Sequence, residues 1–247
     1  MHVYLEKIAD VLRTMDKTQG KAIAQAADRM VASITAGRVV YLFGSGHSIL
    51  PIMDIFPRYG SFPGFVSIVD PRLVWYSAVG PGGARELLWI ERHEGYVENL
   101  LKSFHFTPQD TMWVFSHGGL NAAPIEAALY AKSRGLSVIA VTSVANHETA
   151  RAVHSSGKKL GDIADVVIDN CVPPEDALVI VDGWPYPVAA GSTVAVVAAS
   201  MTVLSEVARR LASRGVKPPV FVSPNVNPDA RFNDTVFEAH RELLRNL

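Results

Sequence analysis

Five short runs of almost unbroken apolar residues recur along this chain, and that repetition restricts the fold more than any other feature. Residues 39–43 read Val-Val-Tyr-Leu-Phe and stop at Gly44. Comparable runs follow at 65–69, 112–115, 138–141 and 166–168. A strand with one wet face alternates apolar and polar residues, whereas a strand covered on both faces does not. Between several of the runs lie segments whose apolar residues recur every three to four positions, the helical period. The clearest is 121–134, NAAPIEAALYAKSR, followed by Gly135 as a stop signal. Strands alternating with helices need crossover connections, and these predict a parallel sheet. The expected fold is therefore α/β: a three-layer αβα sandwich with a five-stranded, mostly parallel sheet.

The ends of the chain read differently. Over residues 2–36 the apolar positions Leu5, Ile8 and Leu12, then Ile23, Ala26, Met30, Val31 and Ile34, follow helical spacing with no proline, and Gly20 marks a bend between two helices. This predicts an N-terminal helical segment, 1–36, packing on the domain or on a partner subunit, and a single domain over 37–247. The longest apolar stretch, 188–204, is interrupted by Gly191, Ser192 and Thr193, and is read as a buried helix rather than a bilayer span. A long helix is expected over about 192–214. The tail from Lys217 is rich in Pro and Asn until a last helix near 235–245.

Of the 247 residues, 49% are hydrophobic and 19% charged, with a formal net charge of −1. That composition suits a packed core, and without a basic excess neither nucleic acid nor a membrane surface is an expected partner. Cys171 is the only cysteine, which excludes an intrachain disulfide and a Cys-based zinc cluster and suits a reducing compartment. No pair of histidines has zinc-ligand spacing on a convincing helix, so no metal is expected. The first residues, MHVYLEKIADVL, lack the basic start and apolar run of a signal peptide, and the expected location is the cytoplasm.

In an open parallel sheet, ligands bind beyond the carboxyl ends of the strands. Two such ends carry small polar residues: Gly44, Ser45, Gly46, His47 and Ser48 after the first run, and Ser116, His117, Gly118, Gly119, Leu120 and Asn121 after the third. Both have the layout strand, small polar turn, helix, which suits an anion held by backbone N–H groups and hydroxyls. Neither is a Walker loop, and neither carries the three-glycine dinucleotide fingerprint.

The two turns together resemble those of the SIS (sugar isomerase) family, whose members include phosphoheptose isomerases, arabinose-phosphate isomerases, the isomerase half of glucosamine-phosphate synthase and muramic-acid-phosphate etherase. Residues 44–48 look like the family's glycine–serine turn, and 116–121 look like its Ser-x-Ser-Gly-x-Ser/Thr turn, which cradles the sugar phosphate. The stretches 124–142 and 162–168 are also similar, so the resemblance spans about residues 35–215. Within it, Gly118 stands in place of the second serine, His117 in place of a neutral residue and Asn121 in place of the final hydroxyl. By resemblance, Ser192 and Thr193 at the start of the late helix line the same pocket, and a homo-oligomer, dimer or tetramer, is expected.

Aldose–ketose isomerisation needs a base to move a proton between adjacent carbons and an acid to open the ring. The resemblance puts a catalytic glutamate between the two turns, where the chain reads Glu91-Arg92-His93-Glu94. On a helix Glu91 and Glu94 would share a face, and either is a candidate base. His93 is a candidate ring-opening acid, and Asp54, between Pro51 and Pro57, a candidate substrate contact. Asp169, Asn170, Glu175 and Asp176 flank one strand end and are candidates to meet sugar hydroxyls, while Arg58 and Arg231 are candidate contacts with a second subunit. The resulting expectation is a phosphorylated-sugar isomerase that works through an enediolate and needs no cofactor. The alternatives are a related lyase or etherase and a non-catalytic phosphosugar sensor.

Overall fold

The structure is a computed structural model, and residues 2–227, 229 and 231–245 are described. Helices α1 (Val3–Thr18) and α2 (Gly20–Thr35) come first, followed by β1 (Val40–Gly44), α3 (Leu50–Ile55) and β2 (Phe65–Ile68). Then come α4 (Ala84–Ile90), α5 (Tyr96–Leu101), β3 (Thr111–Phe115), α6 (Ala122–Ser133), β4 (Ser137–Thr142), α7 (Val144–Thr149), α8 (Leu160–Ile163) and β5 (Val166–Asp169). A hairpin of β6 (Ala177–Val179) and β7 (Val188–Ala190) precedes α9 (Ser192–Ser213) and α10 (Asp234–Arg245).

Strands β1 to β5 form one sheet in the order β2-β1-β3-β4-β5, and every pairing is parallel. The expected strands are all present with ends shifted by a residue or two. Alternate residues feed two cores. Val40, Leu42, Trp113 and Phe115 face α1, α2, α3 and α9, while Tyr41, Phe43, Met112 and Val114 face α4, α5, α6 and α8. This is the two-sided burial that an unbroken apolar run requires. Each large side chain so buried contributes roughly 1.5–3 kcal/mol, and Trp113, Tyr41, Phe43, Phe65 and Phe115 are among the largest fully buried.

Two expectations are corrected. The 188–204 stretch is not one helix, because Val188–Ala190 pairs antiparallel with Ala177–Val179 and α9 begins only at Ser192. A Cβ on Gly191 would lie 2.7 Å from the Leu178 side chain, so glycine lets the chain cross the hairpin closely before turning into the helix. The cluster at 91–94 is not helical either, since α4 stops at Ile90 and Glu91 is its C-terminal cap. Residues 91–95 form a turn that ends at Gly95, whose φ is +89°. Glu91 and Glu94 therefore do not share a helix face. Gly20 opens α2, and the break between the first two helices falls at Gln19.

The chain passes from β1 outward to β2 and then returns to place β3 on the other side of β1. The crevice of an open α/β sheet forms at such a reversal, beyond the carboxyl ends of the two strands that flank it. Those ends are Gly44 and Phe115, which are register partners.

Candidate functional site

The first turn leaves β1 at Gly44. A Cβ there would lie 2.5 Å from the Ser48 carbonyl oxygen, so a glycine is needed for the chain to fold back so tightly. The turn continues as one 3-10 turn over Gly46–Ile49 and leads into α3. His47 is exposed and meets the edge of Trp75 with ring centroids 4.3 Å apart.

The second turn, residues 116–121, is anchored through its carbonyls. The His117 oxygen accepts from the Ser143 N–H at 2.9 Å and the Thr142 hydroxyl at 3.1 Å. The Gly118 oxygen accepts from the Asn146 side-chain amide at 2.6 Å, and the Gly119 oxygen from the Leu160 N–H at 2.9 Å. Gly119 has φ +61°, and a Cβ there would lie 2.8 Å from Thr142 Oγ1. With the carbonyls pinned to the segment behind the turn, the N–H groups of His117, Gly118, Leu120 and Asn121 make no hydrogen bond among the described residues. Unused backbone donors in a turn that opens a helix are groups of the kind that can hold an anion.

Glu91 lies between the turns and is buried, with 7% of its surface exposed. Ser45 Oγ donates to its Oε2 at 2.9 Å, and Asn121 Nδ2 donates to its Oε1 at 2.8 Å. Arg92 Nη1 is 3.5 Å from Oε1, and the Glu91 backbone oxygen accepts from the Ala123 N–H at 2.9 Å. Burial pushes the carboxyl pKa up, with the Ser45 bond and the Arg92 charge pulling partly back. A buried carboxylate with a raised pKa and two fixed partners is suited to taking and returning a proton.

His117 is set by its neighbours. Asn170 is fully buried, and its Oδ1 accepts from the Val172 N–H at 3.0 Å, which fixes the amide orientation. The Asn170 Nδ2 group then donates to His117 Nδ1 at 3.1 Å, while His117 Nε2 lies 3.3 Å from the Pro174 oxygen. With Nδ1 accepting from Asn170, Nε2 is the ring nitrogen placed to donate to the Pro174 oxygen.

The crevice between the turns and the start of α9 is lined by His47, Ser48, Pro51, His117, Ser192, Thr193 and Val196, and has a volume of about 20 Å³. That is room for about one water. Asp176 already occupies the N-terminus of α9: its carboxylate accepts from the Gly191 N–H at 3.2 Å and from the Ser192 N–H and hydroxyl at 2.7 Å each. The Ser192 hydroxyl is thus engaged, and the dipole of that helix is met by a protein carboxylate.

The other candidates lie elsewhere. Glu94 is exposed and accepts from the Ser155 N–H at 2.7 Å and from the Ser155 hydroxyl, bonds that hold its carboxyl below the usual range. It lines a wider cleft of about 560 Å³ between α5, α6 and residues 154–155. There Glu126 caps α5, accepting from the N–H groups of Gly95, Val97 and Glu98, and Arg134 bonds the Tyr130 hydroxyl. His93 is exposed, stacked on Trp89 at 5.3 Å. Asp54 pairs with Arg58 at 2.8 Å, and Arg231 faces Asp229 at 3.7 Å on the surface. The structure thus brings Ser45, Glu91 and Asn121 into one network, with His47, Ser48, His117, Ser192 and Thr193 around one crevice. It does not bring His93, Glu94 or Asp54 to them. Sequence reasoning missed Asn146 and Leu160, which carry the second turn's carbonyls. Nothing local marks them, because their partners are backbone atoms far away in the chain.

Among the described residues, no helix is long and apolar enough to cross a membrane, and no group of three or more metal-ligating side chains gathers.

Fold and site together define a parallel α/β protein with two glycine-containing polar turns and a crevice at the β1/β3 switch point. A family model described as the SIS domain matches residues 3–143, and the chain belongs to that family. Its relatives include a UPF0309 protein of Caldanaerobacter subterraneus, 31% identical over all of both chains, and a UPF0309 protein of Oceanobacillus iheyensis, 33% identical over 99% of this chain and 98% of that one. Among solved structures, the phosphoheptose isomerase GmhA from Neisseria gonorrhoeae superposes with a TM-score of 0.52 at 16% identity, covering 83% of this chain and 94% of that one. A phosphoheptose isomerase from Francisella tularensis gives 0.51 at 16% identity, covering 83% and 95%. These two share the fold.

Proposed function

We propose that this protein binds a phosphorylated sugar at the β1/β3 crevice and isomerises it between aldose and ketose forms, with Glu91 carrying the proton. The observation that carries this reading is the buried Glu91 carboxylate, hydrogen-bonded to one residue of each turn. The N–H groups of His117, Gly118, Leu120 and Asn121, together with the Ser48 and Thr193 hydroxyls, receive the phosphate. On the open-chain aldose, Glu91 takes the proton from carbon 2 and the electron pair moves toward carbon 1, leaving an enediolate. The same carboxylic acid returns the proton to carbon 1 while a hydroxyl proton passes between the two oxygens. His47 and His117 are the candidate groups for ring opening. The fold shared with two phosphoheptose isomerases is consistent with this chemistry.

The crevice of about 20 Å³ is too small for a sugar phosphate, so binding involves outward movement of residues 45–49 or of Trp75, which leans on His47. A sensor reading has one observation in its favour, the absence of a side-chain donor at Gly118. Assembly as a homo-oligomer is part of the proposal, supported by exposed Ile180, Trp184 and Tyr186 on the hairpin; light scattering after size exclusion reads it directly. Thermal-shift measurements against phosphosugars and their dephosphorylated twins test the site, because a ligand that binds only the native state raises Tm by mass action. The expected result is a rise with one phosphosugar and none with its twin, followed by turnover of that sugar. A rise without turnover supports the sensor, and no rise with any phosphosugar overturns the proposal.

A further inference from the structure

Glu94 lies three residues from the proposed base yet points away from it, and its partners connect the base to the anion turn by a second route. Residues 143–160 run behind the second turn. Their two ends hold it: the Ser143 N–H and the Asn146 side chain bond the His117 and Gly118 oxygens, and the Leu160 N–H bonds the Gly119 oxygen. Between those ends lies Ser155, which gives the Glu94 carboxylate both its N–H, at 2.7 Å, and its hydroxyl. His154 Nε2 is 3.7 Å from the same carboxylate and is a buried atom with no hydrogen-bond partner. The turn that carries Glu91 is also held at Glu91 itself, by Ser45 and Asn121 on the carboxylate and Ala123 on the backbone oxygen, and at its end by Glu126 on the Gly95 N–H.

We infer that Glu94 is a positioning residue: its junction with Ser155 ties the turn bearing Glu91 to the segment that carries the anion turn, so that an anion bound at 116–121 also steadies the base. The inference rests on the phosphosugar reading of the two turns. The physical requirement is familiar from proton transfer, where a base displaced by about 1 Å can cost on the order of 100-fold in rate. Glu91 stands on a five-residue turn between two short helices, α4 and α5, which by themselves are too short to hold it. The junction adds an anchor at Glu94, toward the end of that turn away from Glu91.

Amide hydrogen exchange on the full chain tests this, with inorganic phosphate as the probe and Tm checked for each variant. Without ligand, Glu94→Ala should speed exchange at residues 95–98 by roughly 10-fold, since those amides open locally once the anchor is lost. Glu94→Gln, which keeps an acceptor for Ser155, should recover much of the protection. With phosphate, the unmodified chain should gain protection at both 116–121 and 95–98, whereas Glu94→Ala gains it at 116–121 alone and Ser155→Ala, which loses the hydroxyl but keeps the N–H donor to Glu94, gains less than the unmodified chain at 95–98. Once a turned-over sugar is known, Glu94→Ala should lower kcat by about 10- to 100-fold with KM little changed. Protection at 116–121 alone in the unmodified chain overturns the inference and leaves the phosphate site standing. Unchanged exchange at 95–98 in unliganded Glu94→Ala also overturns it. No protection at either segment with phosphate overturns the phosphate reading itself.

Discussion

Asn121 donates to Oε1 of the buried Glu91 carboxylate at 2.8 Å from the last position before α6. One side chain thus belongs to the second turn and to the hydrogen-bond set of the proposed base, and its replacement should affect both proposed roles. Asn121→Asp would set two carboxylates against each other, and close like charges cannot both ionise easily. The acidic limb of the pH–rate profile should move to higher pH, and phosphate should bind more weakly. A profile that keeps its acidic limb would disconnect Asn121 from Glu91.

Glu91→Gln separates binding from chemistry. Gln keeps an oxygen for Asn121, and the Ser45 hydroxyl can reverse to accept from the new amide. Turnover should fall by about 100- to 10,000-fold, the usual contribution of a positioned base, while phosphosugar affinity stays nearly constant. Equal losses in affinity and turnover would mean that Glu91 binds rather than reacts.

The same variant carries a stability signature. The folded-state pKa of Glu91 is raised, chiefly by burial, so folding favours the protonated form. Its contribution to stability is complete below the unfolded-state value, about 4.3, and is lost as pH rises through the folded value. Glu91→Gln lacks this loss. The Tm of Glu91→Gln minus that of the unmodified chain should therefore increase from pH 4 to pH 7, and a flat difference across that range would contradict the raised pKa.

Adjacent glycines in the second turn should respond in opposite ways. A Cβ on Gly118 would meet only Asn146 Nδ2, at 3.7 Å, and its φ is outside the left-handed region. Gly118→Ser should fold normally and add one donor, tightening phosphate binding by roughly 3- to 10-fold. Gly119→Ser would place a Cβ 2.8 Å from Thr142 Oγ1 at φ +61°, costing about 1–3 kcal/mol of stability. Denaturant melts and phosphate titrations on the pair check both effects.

Asp176→Ala removes the acceptor of three donors at the start of α9 and leaves a non-glycine residue at φ +60°. The loss should be about 2 kcal/mol, or a Tm lower by roughly 4–8 °C for a chain of this size. An unchanged Tm would show that water replaces the cap at no cost.

The layers of this fold were legible because burial on both faces leaves a local mark. The run at 39–43 could only suit a covered strand, and the pattern at 121–134 ended on the glycine that caps it. The stretch 188–204 misled for the same reason: composition alone cannot tell three residues of hairpin from the first turn of a helix, and the crossing at Gly191 depends on Leu178 from the other strand. The two turns were legible as small polar residues following strands. That Glu91 rather than Glu94 faces them was not, because the choice depends on α4 ending at Ile90.

The sequence by itself determined the alternation of strand and helix, the two glycine-containing turns and the family. These follow from hydrophobic period and local backbone permission, which each residue carries wherever it sits. Only the tertiary structure decided which carboxylate joins the turns, which His117 nitrogen faces Asn170 and which carboxylate fills the start of α9. Those outcomes depend on hydrogen bonds between residues far apart in the chain, such as Ser45 with Glu91 and Asn170 with His117, and such bonds are directional and short-ranged. They exist only once the sheet has brought its carboxyl ends together.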